Sequence, residues 1–236
     1  VIKVGVGPII IDLMKRGFVT ALATNGAGVI HDFEIALAGR TSEDVGKELT
    51  DGSFGMARET GELLNQAIRD GSARNEGIGE AVGAFLDSHP AVAYPECSLL
   101  LQAYRCGVPV TVHVAIGTDI IHQHPSSDGA LIGKGSHLDF RILAGQLPDL
   151  NDGGVVINFG SAVILPEVFL KALTVARNLS GAVKNFTAAN FDMIQHYRPN
   201  LNVLQRPIKT GGEAFSFTGH HEIMLPLLYS AIRSLI

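Results

Sequence analysis

One stretch, Phe18 to Glu34, constrains the fold of this chain more than any other. The apolar run Phe18 to Ala23 suits a β-strand, Asn25-Gly26-Ala27-Gly28 makes a turn of small residues, and Val29 to Ala38 returns to helical spacing. Strand, tight turn and helix in that order open a parallel βαβ unit. Gly26 and Gly28 lack a Cβ, so a ligand can approach the backbone closely, and the first N–H groups of the helix point at whatever fills the turn. The spacing falls short of a full G-x-G-x-x-G, so tight packing of a helix on a sheet accounts for the glycines as well as an anion site does.

The pattern recurs along the chain. Behind Pro8, Ile9 to Gly17 reads as a helix. Thr41 to Ser88 reads as helical and charged, with Ser42-Glu43-Asp44 as a helix start and with helical spacing over Met56 to Asp70 and Ile78 to Leu86. Ser98 to Arg105 predicts a helix closed by Gly107, and Val108 to Ala115 a buried parallel strand. Asp128 to Leu147 reads as helix, Gly154 to Phe159 as strand, and Gly160-Ser161 as a second small turn opening the helix Leu165 to Leu179. Lys184 to Met193 and Asn202 to Leu204 read as strands, Lys209 to His220 as a loop, and His221 to Leu235 as the last helix. The expected fold class is α/β, a Rossmann-like, mostly parallel sheet with helices on both faces. One domain is expected over 1–236, with 41–90 as a helical insertion or arm and with an N-terminal strand preceding Val1.

Composition narrows the function classes. A net charge of −5 without a Lys or Arg run argues against nucleic-acid or membrane-surface partners and for a small-molecule site. Two cysteines, Cys97 and Cys106, give no disulfide framework and fit a reducing cytoplasm, and no long apolar run suggests a membrane span. Serine-hydrolase and P-loop motifs are absent.

Chemistry concentrates at the carboxyl ends of the expected strands, where parallel sheets place function. Gly117-Thr118-Asp119 and His122-Gln123-His124 follow the Val108 run; two imidazoles and a carboxylate suit a metal, but histidines two apart on a loop share no fixed face, so contact with a ligand is the favoured reading and no metal is expected. His31 lies in the helix after the glycine turn, where it reaches a ligand or bonds local backbone. His220-His221-Glu222 opens the last helix.

Thr24-Asn25-Gly26-Ala27-Gly28-Val29 with Asp32 resembles the glycine turn and acidic helix start of the deoxyhypusine synthases. Val108-Pro109-Val110, Ile157 to Ser161 and Glu213 to Phe217 fall in the same order as that family's later motifs, so the resemblance runs through nearly the whole chain. It implies a homotetrameric Rossmann-like fold, NAD at the strand ends and polyamine sites near subunit interfaces. In that family NAD oxidises spermidine, and a lysine takes up the aminobutyl group as an imine before passing it to a protein lysine.

The chain departs from the pattern at positions that matter. His31 stands where the family has an acidic residue, and Leu165 or a close neighbour where it has a histidine. Phe217-Thr218-Gly219-His220 replaces a Trp-Gly-Lys motif, so the imine-forming lysine is missing and Lys209 is the nearest candidate. Glu213 matches a glutamate that binds the polyamine amine. The reading is therefore a divergent relative, an NAD-dependent transferase or oxidase of an amine and not a true deoxyhypusine synthase. The alternative is a non-catalytic nucleotide- or polyamine-binding protein of the same fold. Asn25 to Gly28, Gly117, Thr118, Gly160 and Ser161 are the expected NAD contacts, and His31, Asp119, His122 and Glu213 the expected catalytic groups. The partners expected are a small amine or nucleotide and further copies of the chain, as a dimer or tetramer.

Overall fold

Two parallel sheets organise the chain in a computed structural model that describes residues 1–41 and 43–235. The first pairs β1 (Leu22–Asn25) with β2 (Val110–His113), and the second orders β3 (Val155–Phe159), β4 (Phe186–Asp192) and β5 (Gly212–Thr218). Helices flank these strands, so the parallel α/β class expected from the sequence is the observed one. The sequence reading takes 1–236 as one domain; the residues group into two compact units, one from Ile10 to Asp139 with Ile2, the other from Phe140 onward with Val1 and Lys3 to Ile9.

In the first unit, β1 runs straight into α2 (Gly26–Ala38). Asn25 caps that helix, its side-chain oxygen accepting the Gly28 N–H at 2.9 Å, and Gly39 closes it at φ 68°. The strand begins later than Phe18, because the C-terminal turn of α1 (Gly7–Lys15) claims the N–H groups of Phe18 and Val19 for the Leu13 carbonyl. Asp44 caps the short α3 (Val45–Glu48), while the expected start at Ser42 lies outside the described residues. The stretch read as an insertion forms α4 (Arg58–Ala73) and α5 (Ile78–Ser88). Its Leu64, Ala67, Ile68, Val82 and Leu86 are buried in one core with Phe33 of α2, Leu100 of α6 (Leu99–Cys106) and Val112 of β2. Each buried Leu, Ile, Val or Phe among them contributes about 1.5–3 kcal/mol through burial.

Two buried carboxylates tie this unit together. Asp32, buried in α2, accepts the Ser98 hydroxyl at 2.6 Å and the N–H groups of Leu99 and Leu100 at 2.7 and 3.1 Å, and so caps α6 from across the core. Burial pushes its carboxyl up to about 6 despite those bonds. Asp139, on α7 (Gly129–Gln146), accepts the Val112 N–H at 2.9 Å and the Gly79 N–H at 3.2 Å, joining β2 to the start of α5, and burial pushes it up to about 7. Asp32 is thus a structural cap, which its place in the resemblance did not reveal.

In the second unit, α8 (Ile164–Ser180) lays Phe169, Ala172, Leu173 and Ala176 against Phe186 and Ala188 of β4. Phe159, Phe191 and Phe217 stand in register and stack, with centroids 4.7 and 4.5 Å apart. Two expectations are corrected here. Asn202 to Leu204 is not a strand: after the short α9 (Tyr197–Pro199) it belongs to a helical segment, Asn200–Gln205, that buries Val203 and Leu204. A brief apolar run cannot by itself tell a strand from a buried helical turn. Conversely, most of the loop expected over Lys209 to His220 is β5, because pairing along β4 satisfies its backbone. α10 (His221–Ser234) follows as expected.

Candidate functional site

The carboxyl ends of β1 and β2 lie side by side, with Asn25 paired to His113. From them emerge the glycine turn and, after Ala115, the Gly117 to Pro125 loop. That loop is anchored from behind. The Asn65 amide of α4 donates to the Ile121 carbonyl and the Ser126 hydroxyl, both at 3.1 Å, and Ile121 enters the core.

Asp119 packs directly on Gly26. A methyl group at Gly26 would stand 1.9 Å from Asp119 Oδ2, and one at Gly28 would stand 2.1 Å from Thr24 Oγ1. The two glycines therefore leave room for oxygen atoms of this chain. Asp119 Oδ2 faces His122 Nε2 at 3.8 Å, and the side chains keep only 6% and 7% of their surface exposed. Neither atom has a hydrogen-bond partner among the described residues. Burial raises the Asp119 carboxyl above the ordinary carboxylate range, opposed by His122 and by a hydrogen bond from Thr118.

His122 is committed on its other nitrogen. Nδ1 accepts the N–H of Gly117 at 3.1 Å and of Asp119 at 3.2 Å, so the proton of the neutral ring sits on Nε2 and points at Asp119. A general base needs a lone pair facing its substrate, and this ring spends its lone pair on the loop backbone. His124 turns away: its Nδ1 pairs with Ser126 Oγ at 2.7 Å and its ring packs on Gly61 of α4. Among the described residues no group of three or more His, Cys, Asp or Glu side chains is arranged to hold a metal.

His31 joins a different network. Its Nδ1 lies 2.6 Å from Thr41 Oγ1, which donates to Glu34 Oε2 at 2.5 Å, while Thr60 Oγ1 donates to Glu34 Oε1 at 3.1 Å. Ala27, His31 and Glu34 fall at i, i+4 and i+7 and so share one face of α2, running down from the glycine turn. Sequence reasoning missed Thr41 and Thr60, which no spacing rule connects to α2. It also passed over His113, buried at the end of β2 against Thr111 Oγ1 and pushed down to about 4 by burial.

The remaining expected residues lie in the second unit. Gly160 (φ 68°) and Ser161 close β3, where Gly160 packs against the His221 ring and the Ser161 hydroxyl accepts the Leu165 N–H at 3.2 Å. Glu213 is the exposed second residue of β5, paired with Thr187 at the amino edge of its sheet. Lys209 precedes that strand, a strand length of about 20 Å from the carboxyl edge where His220 sits.

A dinucleotide needs backbone N–H groups for its phosphates and acceptors for its ribose hydroxyls. Gly26 and Ala27 supply the first as the opening residues of α2, Asp119 Oδ2 and Thr24 Oγ1 supply the second, and these residues fit the group.

No family model matches the chain, and no curated protein matches it. Solved structures do. The apo form of ArgZ, an arginine dihydrolase from the ornithine-ammonia cycle in cyanobacteria, superposes with a TM-score of 0.53 at 15% identity over 100% of this chain. A conserved putative LOR/SDH protein from Methanococcus maripaludis S2 gives 0.55 at 18% over 99%, and unliganded AgrE gives 0.54 at 18% over 100%. The chain spans 28%, 58% and 29% of those proteins. They share its α/β fold and give no specific support to deoxyhypusine synthase.

Proposed function

We propose that this chain is an NAD-dependent enzyme acting on a polyamine or another amine, as a transferase or oxidase, and is not a true deoxyhypusine synthase. One observation carries the reading: a buried carboxylate oxygen, Asp119 Oδ2, stands unpartnered against Gly26 at the opening of α2. Buried acceptors are normally satisfied, and an ammonium or hydroxyl of a ligand would complete this one. Gly26, Ala27 and the adjoining Asn25, Gly28, Gly117 and Thr118 hold the dinucleotide in this reading, and Asp119 holds an ammonium or ribose hydroxyl. NAD, when bound, supplies a hydride acceptor. The names of two neighbours, an arginine dihydrolase and an LOR/SDH protein, favour a nitrogen-bearing substrate. The absence of a lysine at His220 weighs against imine chemistry.

Calorimetry with NAD tests the binding, and absorbance of the reduced cofactor during incubation with di- and polyamines and basic amino acids tests the reaction. No heat at about millimolar NAD overturns the proposal. Binding of NAD without reduction by any amine favours the second reading, a non-catalytic nucleotide- or polyamine-binding protein, for which the missing lysine is the supporting observation. We also propose a homodimer or homotetramer, and a monomer by gel filtration at micromolar concentration would overturn that part.

A further inference from the structure

We infer that Asn65 is the positioning residue of the Gly117 to Pro125 loop and, through the Ile121–His122 peptide, sets where Asp119 stands. One face of α4 forms the bed of that loop. Gly61, Asn65 and Arg69 fall at i, i+4 and i+8. Gly61 packs on the His124 ring, Asn65 donates to the Ile121 carbonyl and the Ser126 hydroxyl, both at 3.1 Å, and Arg69 donates to the Ser126 carbonyl at 3.3 Å. Gly61 has no side chain and Arg69 is exposed, so Asn65 is the buried polar side chain of this face. A carbonyl only accepts, so the amide must turn its nitrogen toward Ile121. Its oxygen is then left without a partner among the described residues.

The peptide between Ile121 and His122 is planar, so a hold on its carbonyl also orients its N–H. That N–H donates to the Asp119 carbonyl at 3.0 Å, and the ring of the same His122 accepts the Asp119 N–H at 3.2 Å. Asp119 is thus held at both of its backbone groups by His122, and the peptide of His122 is held by Asn65. With that backbone fixed, the Asp119 carboxylate comes to rest against Gly26. The unpartnered amide oxygen marks what this arrangement costs. An apolar side chain beside Leu64 and Ile68 would fill the same place without a buried orphan acceptor, so the packing of α4 alone does not call for an amide here. What Asp119 does with its position rests on the proposed site; the hold of Asn65 on the loop does not.

Two NMR readouts test this without any ligand: hydrogen exchange at the Gly117 and Asp119 N–H groups, and titration of the Asp119 carboxyl by its ¹³C signal, assigned with Asp119→Asn. Asn65→Leu keeps the volume and removes the donors. Exchange at both N–H groups should rise about 10-fold or more, with Val112 of β2 unchanged. The Asp119 carboxyl, which burial holds above the ordinary carboxylate range, should titrate closer to that range as the loop loosens. Wild-type exchange or a wild-type titration in Asn65→Leu overturns the inference. Asn65→Asp serves if Asn65→Leu fails to fold: ionised, its side chain can only accept and faces the Ile121 carbonyl, while protonated it donates one hydrogen. Its exchange at Gly117 and Asp119, taken as a ratio to wild type at each pH, should therefore fall as the pH is lowered, and a constant ratio overturns the inference. Calorimetry adds NAD, whose affinity should drop about 10-fold or more in Asn65→Leu. Equal NAD affinity in the two proteins overturns the positioning of Asp119. Absence of NAD binding in the wild type overturns the cofactor reading instead, and exchange and titration still decide the role of Asn65.

Discussion

The Nε2–H of His122 points at the Oδ2 of Asp119 across 3.8 Å, beyond hydrogen-bond reach, inside a pocket where both side chains are more than nine-tenths buried. The ring is held there by two backbone N–H groups on its far side, so His122 fixes the loop and the direction in which it presents a hydrogen. Asp119 is left as the group with unused bonding capacity at the opening of α2.

Asp119→Asn keeps the shape of that side chain and removes its charge. We expect ligand affinity, for NAD or for an amine, to fall about 10-fold or more, with the melting temperature unchanged or slightly higher because a buried charge has gone. Calorimetry and thermal unfolding on the same preparations read both. Unfolding of the variant would make the loop structural and the assignment wrong.

Gly26→Ala places a methyl group on Asp119 Oδ2, where only 1.9 Å is available. The carboxylate or the helix must shift, and overpacking of this kind costs about 1–3 kcal/mol. The double variant Gly26→Ala, Asp119→Ala should recover most of that loss in urea unfolding, because it removes the oxygen in the way. Strictly additive costs would show that the two residues do not touch.

Stability should depend on pH through three buried groups of opposite sign. Asp32 and Asp139 have their carboxyls raised from 3.8 to about 6 and about 7, so folding favours their protonated forms. Their contribution is fully present below about pH 4 and is lost as the pH rises through 6 and 7. His113 is lowered from 6.5 to about 4, so folding favours its neutral form, and its contribution is present above 6.5 and lost as the pH falls through 4. Asp139→Asn should flatten the decline toward neutral pH, and His113→Gln the decline toward acid. Urea unfolding from pH 4 to 8 measures both, and an unchanged curve for Asp139→Asn would refute the raised carboxyl.

Asp32→Ala strips the Ser98 hydroxyl and the Leu99 and Leu100 N–H groups of their acceptor at once. A loss of about 2–4 kcal/mol is expected, with exchange protection falling first at the start of α6. A loss below about 1 kcal/mol would mean that the cap contributes little.

Much of the fold was legible because local rules decide it. Pro8 in the first turn of an apolar helix, Asn25 before α2, and Gly39, Gly107 and Gly181 behind their helices each act within a few residues. β5 was not legible. Its Phe215 and Phe217 alternate with small residues, but the glycines and polar groups around them hide a strand that exists only because β4 lies alongside. The helical segment at Val203 failed for the converse reason, since burial rather than periodicity sets its conformation.

At the candidate site the sequence by itself determined the parallel α/β class, the glycine turn at the mouth of α2 and the crowding of ionisable groups after β2. Those are properties of residues close together in the chain, where spacing fixes geometry. Tertiary structure alone decided what each group does. It set Asp119 against Gly26, 93 positions away in sequence, spent the Nδ1 lone pair of His122 on two loop N–H groups, and turned Asp32 into a cap for α6. The physical reason is that a carboxylate or an imidazole takes its protonation and its role from the donors and acceptors within about 3 Å, and those come from distant segments brought together by burial of the core.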